Sequence, residues 1–292
     1  MNKYFLIPLI ISSLLFNKGF SFKKSVSDKI VSFFMFVPEK ELKKTPSDFN
    51  LIYEEIEISL DKKNKICGWH IPAEKPTKKT IIYLHGAKGN LSNYLHNLSK
   101  LHRTGADILT FDYRGFGMSK GMETIKHSID DAETMYDYLV KHKKVKPEDI
   151  SLYGFSFGGA VALELAMKRE VNAIVLESTF SDLNRLSVRK YSCFVAPLVS
   201  KNLLTSDENI KKIKVPIIIS YAGNDQVIPI EHSMRLFEVA NEPKFLFQIK
   251  NAQHQNIPEY ITPEYISLIK QVLIDGIPKT GIAKDKSHIP SS

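Results

Sequence analysis

Short apolar runs alternate with helical patterns along most of this chain, and that alternation excludes all-helical and all-β folds. The runs are "TIIYLH" (Thr80–His85), "ADILTFD" (Ala106–Asp112), "DISLYG" (Asp149–Gly154), "NAIVLES" (Asn172–Ser178), "PIIISYAG" (Pro216–Gly223) and "KFLFQIK" (Lys244–Lys250). Uninterrupted runs of this length suit central strands covered on both faces. Helical patterns separate most of them. In "HSIDDAETMYDYLVKHKK" the residues Ile129, Ala132, Met135, Tyr136 and Leu139 recur at helical spacing. A second helix pattern follows Ser156, and a third is "EHSMRLFEVA". Upstream, "YEEIEIS" (Tyr53–Ser59) alternates Ile56 and Ile58 with Glu55 and Glu57, as a half-buried edge strand does. "KICGWHIP" (Lys65–Pro72) reads as its hairpin partner, with "DKKNK" as the turn. An antiparallel pair followed by repeated βα units predicts an α/β protein with a mostly parallel, doubly wound sheet. The 292 residues, 43% hydrophobic and 25% charged, suffice for a globular core of ordinary size, in one large domain or two.

Chemistry concentrates in "SLYGFSFGGAVALELAMK". Here "GFSFG" (Gly154–Gly158) is G-x-S-x-G between a strand and a helix. That context places Ser156 on a tight turn at the carboxyl end of the sheet, beside the positive end of a helix. The other reading is a glycine-rich turn that packs a helix on a sheet, which Gly159 and Ala160 also fit. A serine nucleophile needs a base, and the base needs an orienting acid. Of nine histidines, His254 follows a strand and a short turn near the end of the domain. His96, His102, His127, His142 and His232 fall on helical segments and read as surface residues. "YAGNDQVIP" exposes Asp225 just past a strand, with Glu177 as the alternative acid. Ser156, Asp225 and His254 thus follow one another in the order nucleophile, acid, base, each at a strand's carboxyl end. An oxyanion hole would take the N–H of Phe157 and that of Ala87, in the turn "HGAKGN" (His85–Asn90). His85 itself reads as a residue that shapes this turn.

The ends of the chain have a different character. Lys3 precedes an apolar run from Tyr4 to Phe16, shorter than the roughly 20 residues needed to span a bilayer. Gly19 and Ser21 then form a small-x-small pair of the kind that signal peptides carry at their cleavage site. Residues 1–21 are therefore expected to be a signal peptide or a membrane anchor, and the protein to be exported (secreted or periplasmic) or membrane-anchored. A second apolar piece, "IVSFFMFVP" (Ile30–Pro38), suits either a membrane surface or packing on the body. The main domain is expected over 22–276, and 277–292 reads as a flexible tail. The formal net charge is +8, from scattered lysines rather than blocks, which suits a solvated basic surface and not a nucleic-acid site. The two cysteines, Cys67 and Cys193, form neither a disulfide framework nor a metal-ligand pattern.

Taken in order, "YLHGAKGN", "FDYRGFGMSKG", "YGFSFGGAVA", "VLESTF", "YAGNDQVIP" and "NAQHQN" resemble the signature segments of the α/β-hydrolase superfamily. The closest likeness is to serine-aminopeptidase-like hydrolases, including the membrane-associated branch related to protein depalmitoylases. It covers about residues 35–276. The resemblance implies the α/β-hydrolase fold, with Ser156 as nucleophile, Asp225 as acid, His254 as base, and Phe157 and Ala87 as oxyanion donors. It implies structural roles for Asp112 and Arg114 below the site. Asn251 stands where the family often has glycine, a mild departure because asparagine tolerates positive φ.

Between "VLES" and "KVPIII", about residues 179–214, Leu183, Leu186, Phe194, Val195, Leu198, Val199 and Leu203 mix with basic residues. This reads as a short helical cap with an apolar underside, the alternative being ordinary core packing. The expected function is a serine hydrolase acting on esters or thioesters of apolar acyl groups, on a small-molecule or lipid substrate, without metal or organic cofactor. The alternatives are a serine aminopeptidase or amidase, and a catalytically silent binding protein of the same fold.

Overall fold

The structure, a computed structural model, describes residues 24–190 and 203–276. Its main sheet has eight strands: β1 (Glu54–Ser59), β2 (Lys65–Ile71), β3 (Thr80–Leu84), β4 (Asp107–Asp112), β5 (Ile150–Phe155), β6 (Ile174–Glu177), β7 (Ile217–Ala222) and β8 (Lys244–Ile249). They lie in the order β8-β7-β6-β5-β3-β4-β2-β1. β2 is antiparallel to β1 and β4, and the other pairs are parallel. Helices α1 (Lys24–Met35), α2 (Leu95–His102), α3 (Ile125–Lys141), α4 (Phe157–Ala166), α5 (Leu183–Lys190), α6 (Ser206–Ile210), α7 (Ile230–Val239) and α8 (Pro263–Lys270) surround it. The chain reverses its direction of strand addition around β3 and β5, and such a switch point opens a crevice beyond the carboxyl ends of the strands.

Alternate residues of the central strands feed two cores. Ile82, Leu84, Leu152 and Leu176 point to one face, with Met135 of α3 and Val161 of α4. Ile81, Tyr83, Tyr153 and Val175 point to the other, with Leu98 of α2 and Ile269 of α8. Burial on both faces is why these runs are apolar throughout. Each fully buried aliphatic side chain contributes about 1.5–3 kcal/mol. On α3, Ala132, Met135, Tyr136 and Leu139 are buried as their spacing predicts, and Thr124 caps the helix by accepting from His127 N at 3.0 Å.

One strand departs from expectation. "KFLFQIK" forms β8 at the sheet edge, paired among the described residues with β7 alone, and Lys244–Gln248 are half-buried. An apolar run shows that a strand packs, not where in the sheet it lies.

"IVSFFMFVP" packs on the body. Most of it belongs to α1, whose buried Asp28 carboxylate accepts from Ile125 N at 2.9 Å and Lys126 N at 3.1 Å. These are free N–H groups at the start of α3, where a negative charge is favoured. The apolar run 4–16, the Gly19/Ser21 pair and the tail 277–292 lie outside the described residues. Among the described residues no helix is long and apolar enough to cross a membrane. Of the cap residues, Leu183 and Leu203 are buried in the core and Leu186 packs against it. Phe194, Val195, Leu198 and Val199 lie outside the described residues, as does Cys193. Cys67 is a buried free thiol.

Candidate active site

β5 ends at Phe155 and α4 begins at Phe157, so Ser156 alone makes the turn between them. Its φ of 55° and ψ of −116° are strained for a residue with a side chain. Two backbone bonds hold it: Ser156 N donates to Glu177 O at 2.8 Å, and Gly159 N donates to Ser156 O at 3.1 Å. The flanking glycines are required by close approach. A Cβ on Gly154 would overlap the Gly159 backbone, and one on Gly158 would overlap the Leu84 carbonyl of β3. The pattern G-x-S-x-G is therefore what lets helix, strand and serine meet here.

His254 and Asp225 reach the serine from the loops after β8 and β7. His254 Nε2 lies 3.0 Å from Ser156 Oγ, and His254 Nδ1 lies 2.7 Å from Asp225 Oδ2. A carboxylate only accepts, so Nδ1–H is the donor and Nε2 is left to accept the serine proton. The other carboxylate oxygen, Oδ1, accepts from Val227 N and Ile228 N, both at 2.8 Å. Burial by itself would raise the Asp225 pKa. The bond to His254, its charge and the two backbone N–H groups outweigh burial and hold the carboxyl below its ordinary value. The two loops are stitched together: Asn224 N donates to Ala252 O at 2.8 Å, and Gly223 N to Ile249 O at 3.0 Å. Asn251 has φ 61°, the positive value its residue type allows.

Phe157 N–H stands at the start of α4, where the helix dipole favours negative charge. The turn after β3 is fixed from both sides. His85 Nδ1 bonds Gly86 O at 2.7 Å, and Ala87 O accepts from Val37 N at 3.0 Å. In a trans peptide the N–H points opposite to the C=O, so turning the Gly86 carbonyl toward His85 sends the Ala87 N–H the other way. His85 is fully buried among Tyr94, Tyr113 and Phe116. Burial pushes its pKa down to about 4, with the Gly86 bond acting against it, so the ring is neutral at physiological pH. Its geometry is that of a turn-shaping residue.

The remaining expected residues are placed as follows. The Glu177 carboxyl is fully buried and accepts from the Tyr153 hydroxyl at 2.7 Å; it makes no bond to His254. Asp112 Oδ1 accepts from Leu91 N at 2.9 Å, and Arg114 Nε bonds Asp131 Oδ1 at 2.6 Å, both supporting loops near the site. His232 differs from expectation: it is buried, and its Nδ1 accepts from Ser181 N at 3.2 Å. Phe36 meets the Phe157 ring and Val37 N donates to Ala87 O, so both touch the expected oxyanion donors. Their only signal in the sequence is membership of an apolar piece.

Hydroxyl, imidazole and carboxylate are thus in hydrogen-bond sequence, at the mouth of a helix dipole. Such an arrangement can take a proton from a hydroxyl as its oxygen attacks a carbonyl carbon.

The family model described as "Serine aminopeptidase, S33" matches residues 75–207. A protein of Acanthamoeba polyphaga mimivirus is 32% identical over 222 residues, covering 68% of this chain and 74% of its own. YfhR of Salmonella typhimurium is 30% identical over 204 residues, covering 64% of this chain and 69% of its own. An esterase of Pyrococcus furiosus matches with a TM-score of 0.66 at 25% identity, covering 80% of this chain and 95% of its own. The chain belongs to the α/β-hydrolase superfamily, among the hydrolases whose family is described as serine aminopeptidase, S33.

Proposed function

We propose that the protein is a serine hydrolase that cleaves carboxylic esters or thioesters of apolar acyl groups through an acyl-enzyme. The observation that carries this reading is the unbroken relay Ser156–His254–Asp225, with distances of 3.0 and 2.7 Å. Ser156 Oγ attacks the acyl carbon while its proton passes to His254 Nε2. Asp225 holds the resulting imidazolium. The oxyanion rests on the N–H groups of Phe157 and Ala87. Collapse breaks the bond to the alcohol or thiol, which leaves with the proton from His254, and the acyl group stays on Ser156. A water then gives a proton to His254 and attacks the acyl carbon; collapse breaks the bond to Ser156 Oγ, which takes the proton back from His254 Nε2 as the acid leaves.

The preference for acyl groups rests on the sequence alone, on Phe194, Val195, Leu198 and Val199, because Leu183 and Leu203 are buried in the core and Leu186 packs against it. Burial there favours a substrate by about 0.8 kcal/mol per methylene, so kcat/KM should climb with acyl length until the pocket fills. The family description favours a second reading, an aminopeptidase, which would need a carboxylate to hold the substrate amine. The Asp225 carboxyl is already engaged with His254 and two backbone N–H groups. We further read residues 1–21 as a leader or anchor; N-terminal sequencing of protein from its host, starting near Phe22 or at Met1, separates the two.

The central test is covalent. A fluorophosphonate probe should label Ser156, Ser156→Ala should abolish labelling, and turnover should fall by roughly 10⁴–10⁶. Labelling elsewhere in the chain would sink the assignment. Faster cleavage of aminoacyl amides than of matched esters would replace the ester reading with the aminopeptidase one.

A further inference from the structure

Both proposed oxyanion donors lean on one short stretch of chain that precedes the sheet. The Phe36 ring, 6% exposed, meets the Phe157 ring edge-on with centroids 5.0 Å apart, and the Phe116 ring at 5.5 Å. The residues that follow pair with the turn after β3: Val37 lies beside Lys88 and Pro38 beside Gly89 in a parallel bridge. Val37 N donates to Ala87 O at 3.0 Å, and Glu39 N donates to Gly89 O at 2.9 Å. Asn90 Nδ2 reaches back to Glu41 O at 2.7 Å. The stretch is itself pinned on either side. Upstream, Asp28 caps α3 through Ile125 N and Lys126 N; downstream, Lys40 Nζ donates to Gly115 O at 2.6 Å.

We propose that Phe36 and Val37 are positioning residues for the oxyanion hole, with Phe36 setting the Phe157 end and Val37 the Ala87 end. The inference rests on the serine-hydrolase reading above. An oxyanion donor works only when held at about 2.7–3.1 Å from where the charge develops, and losing one costs about 10²–10³ in turnover. The Ala87 carbonyl has a partner in Val37 N, which lies outside the turn. The opposite side of the turn is held by His85 and by the Tyr94 hydroxyl, which donates to Lys88 O at 2.8 Å. Releasing Val37 leaves the Ala87 carbonyl without its partner, while Glu39 N still holds Gly89 O farther along the turn. Releasing Phe36 opens a space against the residue whose N–H is the other donor. Neither change touches Ser156, His254 or Asp225, so the nucleophile keeps its base.

The test uses the full chain, a short-chain p-nitrophenyl ester and active-site titration with a fluorophosphonate probe. Phe36→Ala should lower kcat per titrated Ser156 by about tenfold or more, with KM held within about twofold, as loss of a transition-state interaction requires. Phe36→Leu should restore most of that loss. Val37→Pro removes the N–H and keeps the Phe36 ring, and should lower kcat in the same way. Titration separates positioning from mere folding support, because a structural defect lowers the titrated fraction and not kcat per site. Unchanged kcat per titrated site in Phe36→Leu and Val37→Pro as well as Phe36→Ala would overturn the proposal, whatever happens to Tm. So would a rise in KM with kcat intact. If the unaltered protein is not labelled at Ser156, the hydrolase reading fails first and this proposal with it.

Discussion

Glu177 holds Ser156 by its backbone and not by its side chain. Ser156 N donates to the Glu177 carbonyl at 2.8 Å, while the Glu177 carboxyl turns into the core to the Tyr153 hydroxyl at 2.7 Å. The carboxyl that orients His254 is that of Asp225. With both variants folded, Asp225→Asn should lower kcat by about 10⁴, the loss expected when the imidazole is left in the wrong tautomer. Glu177→Gln should change it by less than about threefold, since Gln can still accept from Tyr153. Steady-state kinetics on titrated enzyme decides, and the reverse ranking would reassign the acid.

Glu177 should instead show itself in stability. Burial pushes its carboxyl up to about 7, with the Tyr153 bond opposing, and burial likewise pushes Asp112 to about 7. Both are raised, so between about pH 4 and 7 the folded protein keeps protons that the unfolded chain has lost. Stability from these groups is present below the unfolded value and disappears as pH rises through 7. Thermal melts should show Tm falling from pH 5 to pH 8, and Glu177→Gln should flatten part of that fall. Asp225 has a lowered value and acts with the opposite sign, in a more acidic window. A slope unchanged by Glu177→Gln would mean the carboxyl is ionised in the folded protein throughout.

Ser156 carries a conformational cost that a substitution can expose. At φ 55° and ψ −116°, a Cβ is strained and glycine is not. Strain of this kind is worth about 1–3 kcal/mol, and the extra freedom of glycine in the unfolded chain takes back about 0.5–1. Ser156→Gly should therefore unfold at higher denaturant concentration than Ser156→Ala, by about 1 kcal/mol in stability. Both variants lose the hydroxyl, so their difference isolates the backbone. Equal midpoints would show that the turn relaxes when the serine is removed.

The sheet and the triad were legible in the sequence for one reason. Each central strand is a run that must be apolar on both faces, β1 shows instead the alternation of an edge strand, and each proposed catalytic side chain sits one turn past a strand, at Ser156, Asp225 and His254. Sheet position was not legible: "KFLFQIK" looks like a central strand, yet β8 is the edge, because covering by helices on each face imposes the same residue types. His232 looked like a surface residue because its burial depends on where α7 meets Ser181, a contact between segments distant in sequence. The brace at Phe36–Glu39 was the least visible feature. It contacts the turn largely through backbone atoms, and backbone pairing leaves no residue-type signature.

His85 offers the sharpest test of how the oxyanion turn is set. Its Nδ1–H fixes the Gly86 carbonyl at 2.7 Å, and its Nε2 makes no hydrogen bond among the described residues, with Asp112 Oδ1 3.8 Å away. Replacing it with phenylalanine keeps an aromatic ring among Tyr94, Tyr113 and Phe116 and removes the donor. The Gly86–Ala87 peptide is then free to turn, and kcat should fall by about 10–10², short of the loss of a complete oxyanion donor site. His85→Asn supplies an N–H in nearly the same place and should recover much of that loss, which simple repacking would not predict. Because burial holds the His85 pKa at about 4, the ring is neutral throughout the range from pH 6 to pH 9. Asp112 Oδ1 lies 3.8 Å from His85 Nε2 and titrates at about 7, so the comparison is made between pH 8 and pH 9, where the ratio of unaltered to His85→Phe turnover should stay constant. A ratio that changes within that window would make His85 a titrating participant and not a fixed prop, and failure of His85→Asn to recover activity would remove the hydrogen bond from the account.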